Sequence, residues 1–166
     1  MATAPTAHIF VPATLDFGND AFFGSEDLRE LGGDLIEMHP GILGHLADVE
    51  IAYLWKKSGG KKSGALIFGK TMKPSGVLTV FTTAQAVIWL AADHVVDAAY
   101  TQRQIEALLF HEMQHIGVEE DDETGTQKIV MRGHDAELFF HDVKVYGAWE
   151  AMLSETADAF KQAGLI

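Results

Sequence analysis

Residues 86–117 constrain the fold more than any other part of the chain. They read "AVIWLAADHV", then "VDAAY", then "TQRQIEALLFHEMQHIG". The first segment is nearly all apolar, the pattern of a strand buried on at least one face. The last is helical. Thr101 and Gln104 form a capping box, and Ile105, Leu108, Leu109, Glu112 and Ile116 fall along neighbouring helical rows. Gly117 is placed to stop the helix. A buried strand feeding an amphipathic helix calls for a sheet covered by helices.

The flanking segments agree. In "SEDLRELGGDLIEMHP", Ser25 is a candidate N-cap, with Glu26 and Asp27 in the first turn. Leu28, Leu31, Leu35 and Met38 repeat at helical spacing, and Pro40 ends the run; the Gly32-Gly33 pair weakens it. "VEIAYLWKK" and "ALIFGKTMK" read as strands, and the "SGGKKSG" turn between them predicts a hairpin. "VLTVFTTA" fits a short helix or a strand. "VEEDDETGT" reads as an acidic loop and "QKIVMR" as a short strand. A second long helix is predicted from Asp135 onward, bent near Gly147. The expected fold is α+β, one domain over residues 1–166, with residues 1–7 as a loose end. At 166 residues and 48% hydrophobic content, the chain suffices for one ordinary core.

Charge and cysteine content narrow the function. The formal net charge is −12, which repels nucleic acid and anionic membranes. Cysteine is absent, so disulfides and thiolate zinc sites are excluded, and a metal site would need His, Asp or Glu. No basic start with a long apolar run opens the chain, and no apolar stretch is long enough to span a bilayer. A soluble, cytoplasmic protein is expected. Lys56, Lys57, Lys61 and Lys62 make a basic hairpin tip, a type of feature that is usually just solvated.

Within the capped helix, His111, Glu112 and His115 form H-E-x-x-H. Residues i and i+4 share a helix face, so both imidazoles can reach one ion. Glu112 sits one position round and can take a proton from a water that the ion activates. The motif is short and arises by chance in loops as readily as in helices. Here it falls on a predicted helix.

A catalytic zinc usually takes three protein ligands. Asp121 stands ten positions after His111, the metzincin spacing, but that pattern needs Gly where this chain has Val118. "RGHDAELFFHD" offers His134, Asp135, Glu137, His141 and Asp142. His134 is favoured. It precedes the predicted second helix, and Asp135 suits an N-cap or ligand-orienting role there. Asp135, Glu137 and Asp121 stay open as alternatives. His141 and Tyr146 are candidates for stabilising an oxyanion. His8, His39, His45 and His94 read as structural or exposed, and Trp55, Trp89 and Trp149 as core.

"AVIWLAADHVVDAAYTQRQIEALLFHEMQHI" followed by "RGHDAELFFHDVKVYGAW" resembles the phage metallopeptidase family. The resemblance covers roughly residues 48–150 and is specific at His111, Glu112, His115, His134 and Asp135. It implies a compact zincin-like fold: a small, mostly antiparallel sheet packed by the motif helix and a long C-terminal helix. It also implies a phage or prophage setting, hence the host cytoplasm. By the same resemblance, the strand "AVIWLAADHV" would present an edge to an extended peptide. Two functions follow. One is a zinc-dependent peptidase acting on a peptide or protein, with His111, His115 and His134 on zinc and Glu112 as general base. The other is a non-catalytic zinc-containing protein that modulates a host partner. Glu112 favours the enzyme, because a structural site has no use for that carboxylate.

Overall fold

The structure, a computed structural model, describes residues 8–135, 140–148 and 151–165. It divides into two compact units, Met1–Arg132 and Gly133–Ile166. The fold is mixed α and β, as the sequence predicts. The expected loose end at 1–7, Trp149, and the start of the predicted second helix at 136–139 lie outside the described residues.

The first unit opens with β1 (Phe22–Gly24) and α1 (Glu26–Met38). Ser25 is extended, and its hydroxyl accepts the Leu28 N–H at 3.2 Å, which starts α1 where the sequence predicts. Leu28, Leu31 and Leu35 are buried. Pro40 ends the run and begins the short α2 (Pro40–Leu43), which leads into a 3₁₀ turn, Gly44–Leu46. Gly32 has a packing reason: a Cβ there would lie 2.5 Å from Tyr53 Oη. Tyr53 lies on β2 (Ile51–Lys56), so the missing side chain lets α1 settle on that strand.

Next come β3 (Lys61–Lys62), β4 (Ala65–Leu66), β5 (Gly69–Met72), α3 (Leu78–Phe81) and β6 (Ala86–Ala91). Strand order in the main sheet is β1-β2-β6-β5. The predicted hairpin between "VEIAYLWKK" and "ALIFGKTMK" does not form. β2 pairs parallel with β6, from Ile51↔Ala86 to Lys56↔Ala91, while β5 pairs antiparallel with the other edge of β6, from Gly69↔Leu90 to Met72↔Val87. β6 is buried along nearly its whole length. Out of reach of water, its amides and carbonyls need strand partners on both sides. The intervening turn folds separately, as the small β3–β4 hairpin.

The apolar strand is shorter than predicted. It stops at Ala91, and Ala92–Asp97 turn into α4. His94 is buried there, with Nδ1 2.8 Å from the Ile67 carbonyl and the ring beside Phe68. The central place of β6 also means that it has no edge to offer a peptide. Among the described residues, the sheet's edge strands are β1 and β5, and β5 is the one paired with β6.

α5 (Gln102–Gln114) packs on β5, β6 and α1. Gly117 does not stop it. The helix ends at Gln114 with His115 as C-cap, and Gly117 lies inside β7 (Ile116–Glu120). A Cβ at Gly117 would stand 2.7 Å from Arg132 Nε and 2.8 Å from Val130 Cγ2, so glycine serves close strand approach there. β7 pairs antiparallel with β8 (Gln127–Met131), so Val118–Glu120 is strand and only residues 121–126 form the predicted acidic loop.

In the second unit, the predicted long helix is two helices, α6 (Phe140–Tyr146) and α7 (Ala151–Gln162). Gly147, with φ +66°, breaks the run where a bend was expected.

Candidate metal centre

The helix that carries the motif is fixed at both ends. At its start, Thr101 Oγ1 accepts the Gln104 N–H at 3.3 Å and Gln104 Oε1 accepts the Thr101 N–H at 2.8 Å, the predicted capping box. Along it, Ile105, Leu109 and Met113 are buried. This orientation leaves His111 exposed and His115 half-buried, with ring centroids 5.1 Å apart and planes at 83°. At the helix end the main chain turns into β7, and β8 returns alongside.

That return holds His115. Its Nδ1 lies 2.8 Å from the Arg132 carbonyl oxygen. A carbonyl can only accept, so Nδ1 carries the proton, and in the neutral ring the lone pair lies on Nε2. A ligating histidine is commonly oriented in this way. The Arg132 N–H also donates to the His115 carbonyl at 2.8 Å, so the two residues are joined twice.

His134 follows the end of β8 by three residues. One ligand-capable atom from each of His111, His115 and His134 lies within 4.8 Å of the others. The trio can hold a metal ion. Its donor set is all imidazole, a set that suits a borderline divalent ion better than calcium or magnesium, which prefer oxygen.

Glu112 points elsewhere. It is 5% exposed, and Thr71 Oγ1 lies 2.8 Å from its Oε2 and 2.7 Å from its main-chain oxygen. The hydroxyl has one proton, so it donates to one of the two at a time. Gly69, two residues earlier on β5, leaves room for the carboxylate: a Cβ there would lie 2.9 Å from Glu112 Oε1. The general-base candidate is thus set against the edge strand.

The other candidates fall differently. The Asp121 carboxylate serves its own turn, accepting from the Glu123 and Thr124 amides and from the Thr124 hydroxyl. Hydrogen bonds from Thr124, chiefly, hold its carboxyl below the usual carboxylate range. Asp135 is exposed in a bend and lines an open hollow with Glu155, Thr156 and Ala159. Glu137 and the side chains of His141 and Asp142 lie outside the described residues. Tyr146 is exposed on α6. His39 packs on Phe110, and His45 Nε2 meets the Ile116 carbonyl at 2.8 Å, both structural roles. Trp55 and Trp89 are core, as predicted.

Sequence reasoning missed Gly69, Thr71 and Arg132. A glycine inside a predicted strand is a known mark of close approach, so Gly69 carried a usable signal. Thr71 and the Arg132 carbonyl carried none.

The model of a family described as "Putative phage metallopeptidase" matches residues 20–160. The match starts well before the stretch that carries the resemblance by motif. Comparisons with curated proteins and with solved structures give no match.

Proposed function

The chain belongs to this phage metallopeptidase family, and we propose on that premise that it is a zinc-dependent peptidase of zincin-like fold. The single observation that carries the reading is the approach of His111, His115 and His134 to within 4.8 Å at their ligand atoms, next to a glutamate turned to another partner. Three imidazoles match a catalytic zinc site, which normally takes three protein ligands. When bound, zinc supplies Lewis acidity, which polarises a scissile carbonyl and brings the pKa of a water down to about 7.

The chain's own groups do the rest. The Arg132 carbonyl fixes the tautomer and angle of His115. Glu112 receives a proton on its carboxylate and passes it to the leaving amine. Thr71 holds Glu112 Oε2, which keeps that carboxylate in one pose and leaves Oε1 to act as base. β5 is the sheet's outer strand beside Glu112. An extended peptide can add to its edge through main-chain hydrogen bonds. This assigns peptide capture to β5 in place of β6.

The test is Glu112→Gln. Protein purified without chelator should carry about one zinc per chain, and the variant should keep it, because Glu112 is not a ligand. Cleavage of peptides drawn from an unbiased library, read by mass spectrometry, should fall by roughly 10²–10⁴-fold, the usual worth of a positioned general base. Equal cleavage by both proteins would reject the mechanism, and a zinc-free wild type would reject the site.

A further inference from the structure

Charge is distributed very unevenly along this chain. Residues 51–92 contain six lysines and neither Asp nor Glu. The other six basic residues share the rest of the chain with all 24 acidic ones, a net of −18. The lysine-bearing segment, Lys56 to Lys73, runs from the end of β2 to just past β5.

The fold places five of these lysines at the end of the sheet where β2 finishes and β5 begins, while Lys73 follows the far end of β5. Lys61 and Lys62 form β3 and are exposed; the β3–β4 hairpin leads directly into β5. On β5, Gly69 and Thr71 face Glu112, so by strand alternation Lys70 projects from the opposite face. It is exposed there, in register with Trp89, and the Lys56 ammonium lies 4.5 Å from the Trp89 ring. Lys57 and Lys73 reach main-chain carbonyls, those of Gly18 and Ile129. Among the described residues, none of the six pairs with a carboxylate. Lys61, Lys62 and Lys70 are exposed beside the β5 edge with no carboxylate partner among the described residues, so in a protein so rich in acid they offer a local positive patch to an external counter-charge.

We propose that the segment captured along β5 is acidic: an extended peptide whose Asp or Glu side chains meet Lys61, Lys62 and Lys70. The proposal rests on the peptidase reading for its strand edge, and it names the substrate class. A polynucleotide is the poorer fit. Its charge is continuous, and beyond the lysines it would meet the net negative remainder of the chain. A short peptide feels only charges within about one Debye length, roughly 8 Å at physiological salt.

Binding separates this proposal from catalysis. Zinc-loaded Glu112→Gln protein is titrated from about 0.1 M salt upward against two fluorescein-labelled dodecapeptides. One alternates Glu with Val and Thr; the other has Gln in place of every Glu. The Glu peptide should bind more tightly, and the preference should fade between about 0.1 and 1 M salt as the screening length shortens from roughly 10 to 3 Å. Adding K61E, K62E and K70E together should weaken the Glu peptide on the order of 10–100-fold, taking each exposed pair at its usual modest worth. Adding K61Q, K62Q and K70Q should give a smaller loss, and the melting temperature of each variant shows whether it still folds. Equal affinity for the two peptides, or no effect of either lysine triplet, would overturn the proposal. So would single-stranded DNA of similar length binding as tightly as the Glu peptide. Library cleavage with no acidic preference would remove the proposal and keep the peptidase. Lysine-dependent binding of the Glu peptide without any cleavage by wild type would do the reverse.

Discussion

Replacing Gly69 by Ala asks how firmly Glu112 is held. A Cβ at this position falls 2.9 Å from Glu112 Oε1, 3.0 Å from Cγ and 3.1 Å from Cδ. Three atoms of one buried side chain would have to move. Two effects oppose each other. Removing a strand glycine stabilises by roughly 0.5–1 kcal/mol, through the unfolded chain. Crowding a well-packed site costs roughly 1–3 kcal/mol. Crowding should win, because Glu112 is tied to Thr71 and stands on a helix whose neighbours Leu109 and Met113 are fully buried. The net loss is then about 0.5–2 kcal/mol, or roughly 1–8 °C in Tm for a chain of this size. Calorimetry in chelator keeps bound metal from masking the change. The control is the same substitution in a Glu112→Ala background. There the obstacle is gone, and Gly69→Ala should stabilise by roughly 0.5–1 kcal/mol. A change of sign around this double-mutant cycle is the signature of direct contact. An equal loss in both backgrounds would refute the packing argument.

Other outcomes follow from the same geometry. Gly32→Ala should lower Tm despite a helix-propensity gain of about 1 kcal/mol, because Tyr53 must move, whereas Gly33→Ala, whose Cβ meets nothing within 4 Å, should raise it; melting curves showing the same shift for both would contradict this. The Asp121 carboxyl has its pKa lowered by Thr124 and Glu123, so the unfolded state binds its proton more tightly. Its contribution is present above about pH 4 and is lost as pH falls through the lowered folded value. Asp121→Asn should therefore flatten the acid limb of a Tm–pH profile and leave zinc content unchanged; zinc loss would return Asp121 to the ligand set. His134→Ala should lower zinc affinity much more than Asp135→Ala, for which a supporting role predicts about 10–100-fold. Competition titration with a chelator reads both, and the opposite ranking would reassign the third ligand.

What was legible in the sequence is what short range decides. Ser25, and Thr101 with Gln104, cap their helices through bonds three residues long, so local grammar located α1 and α5. The i, i+4 spacing that joins His111 to His115 is equally local. Pairing between strands is not. β2 and β6 lie side by side although α3 and three strands separate them in the chain, and no residue of either announces a parallel partner. The hairpin reading failed there, since a turn between two strand-like segments is the simplest local solution. Gly117 shows the same limit. After a helix, glycine reads as a stop; here its role is set by Val130 and Arg132 across the ladder. Thr71 meets Glu112 across 41 residues of sequence, a contact with no local trace.

The acceptor that faces His115 Nδ1 is a main-chain oxygen. Every residue type, proline included, carries one, so no substitution at position 132 can delete it. The angle of this imidazole is thus encoded in the register of β7 on β8, where Ile116 faces Met131 and the His115 and Arg132 main chains close the ladder. Drift in side chains along these strands leaves that register in place. A one-residue insertion or deletion within β8 would carry the carbonyl away and turn its successor to the other side. Among relatives of this chain, the exposed positions of the ladder should therefore vary in composition, with Gly117 and the buried Ile116 and Ile129 positions held, and its length should hardly vary at all.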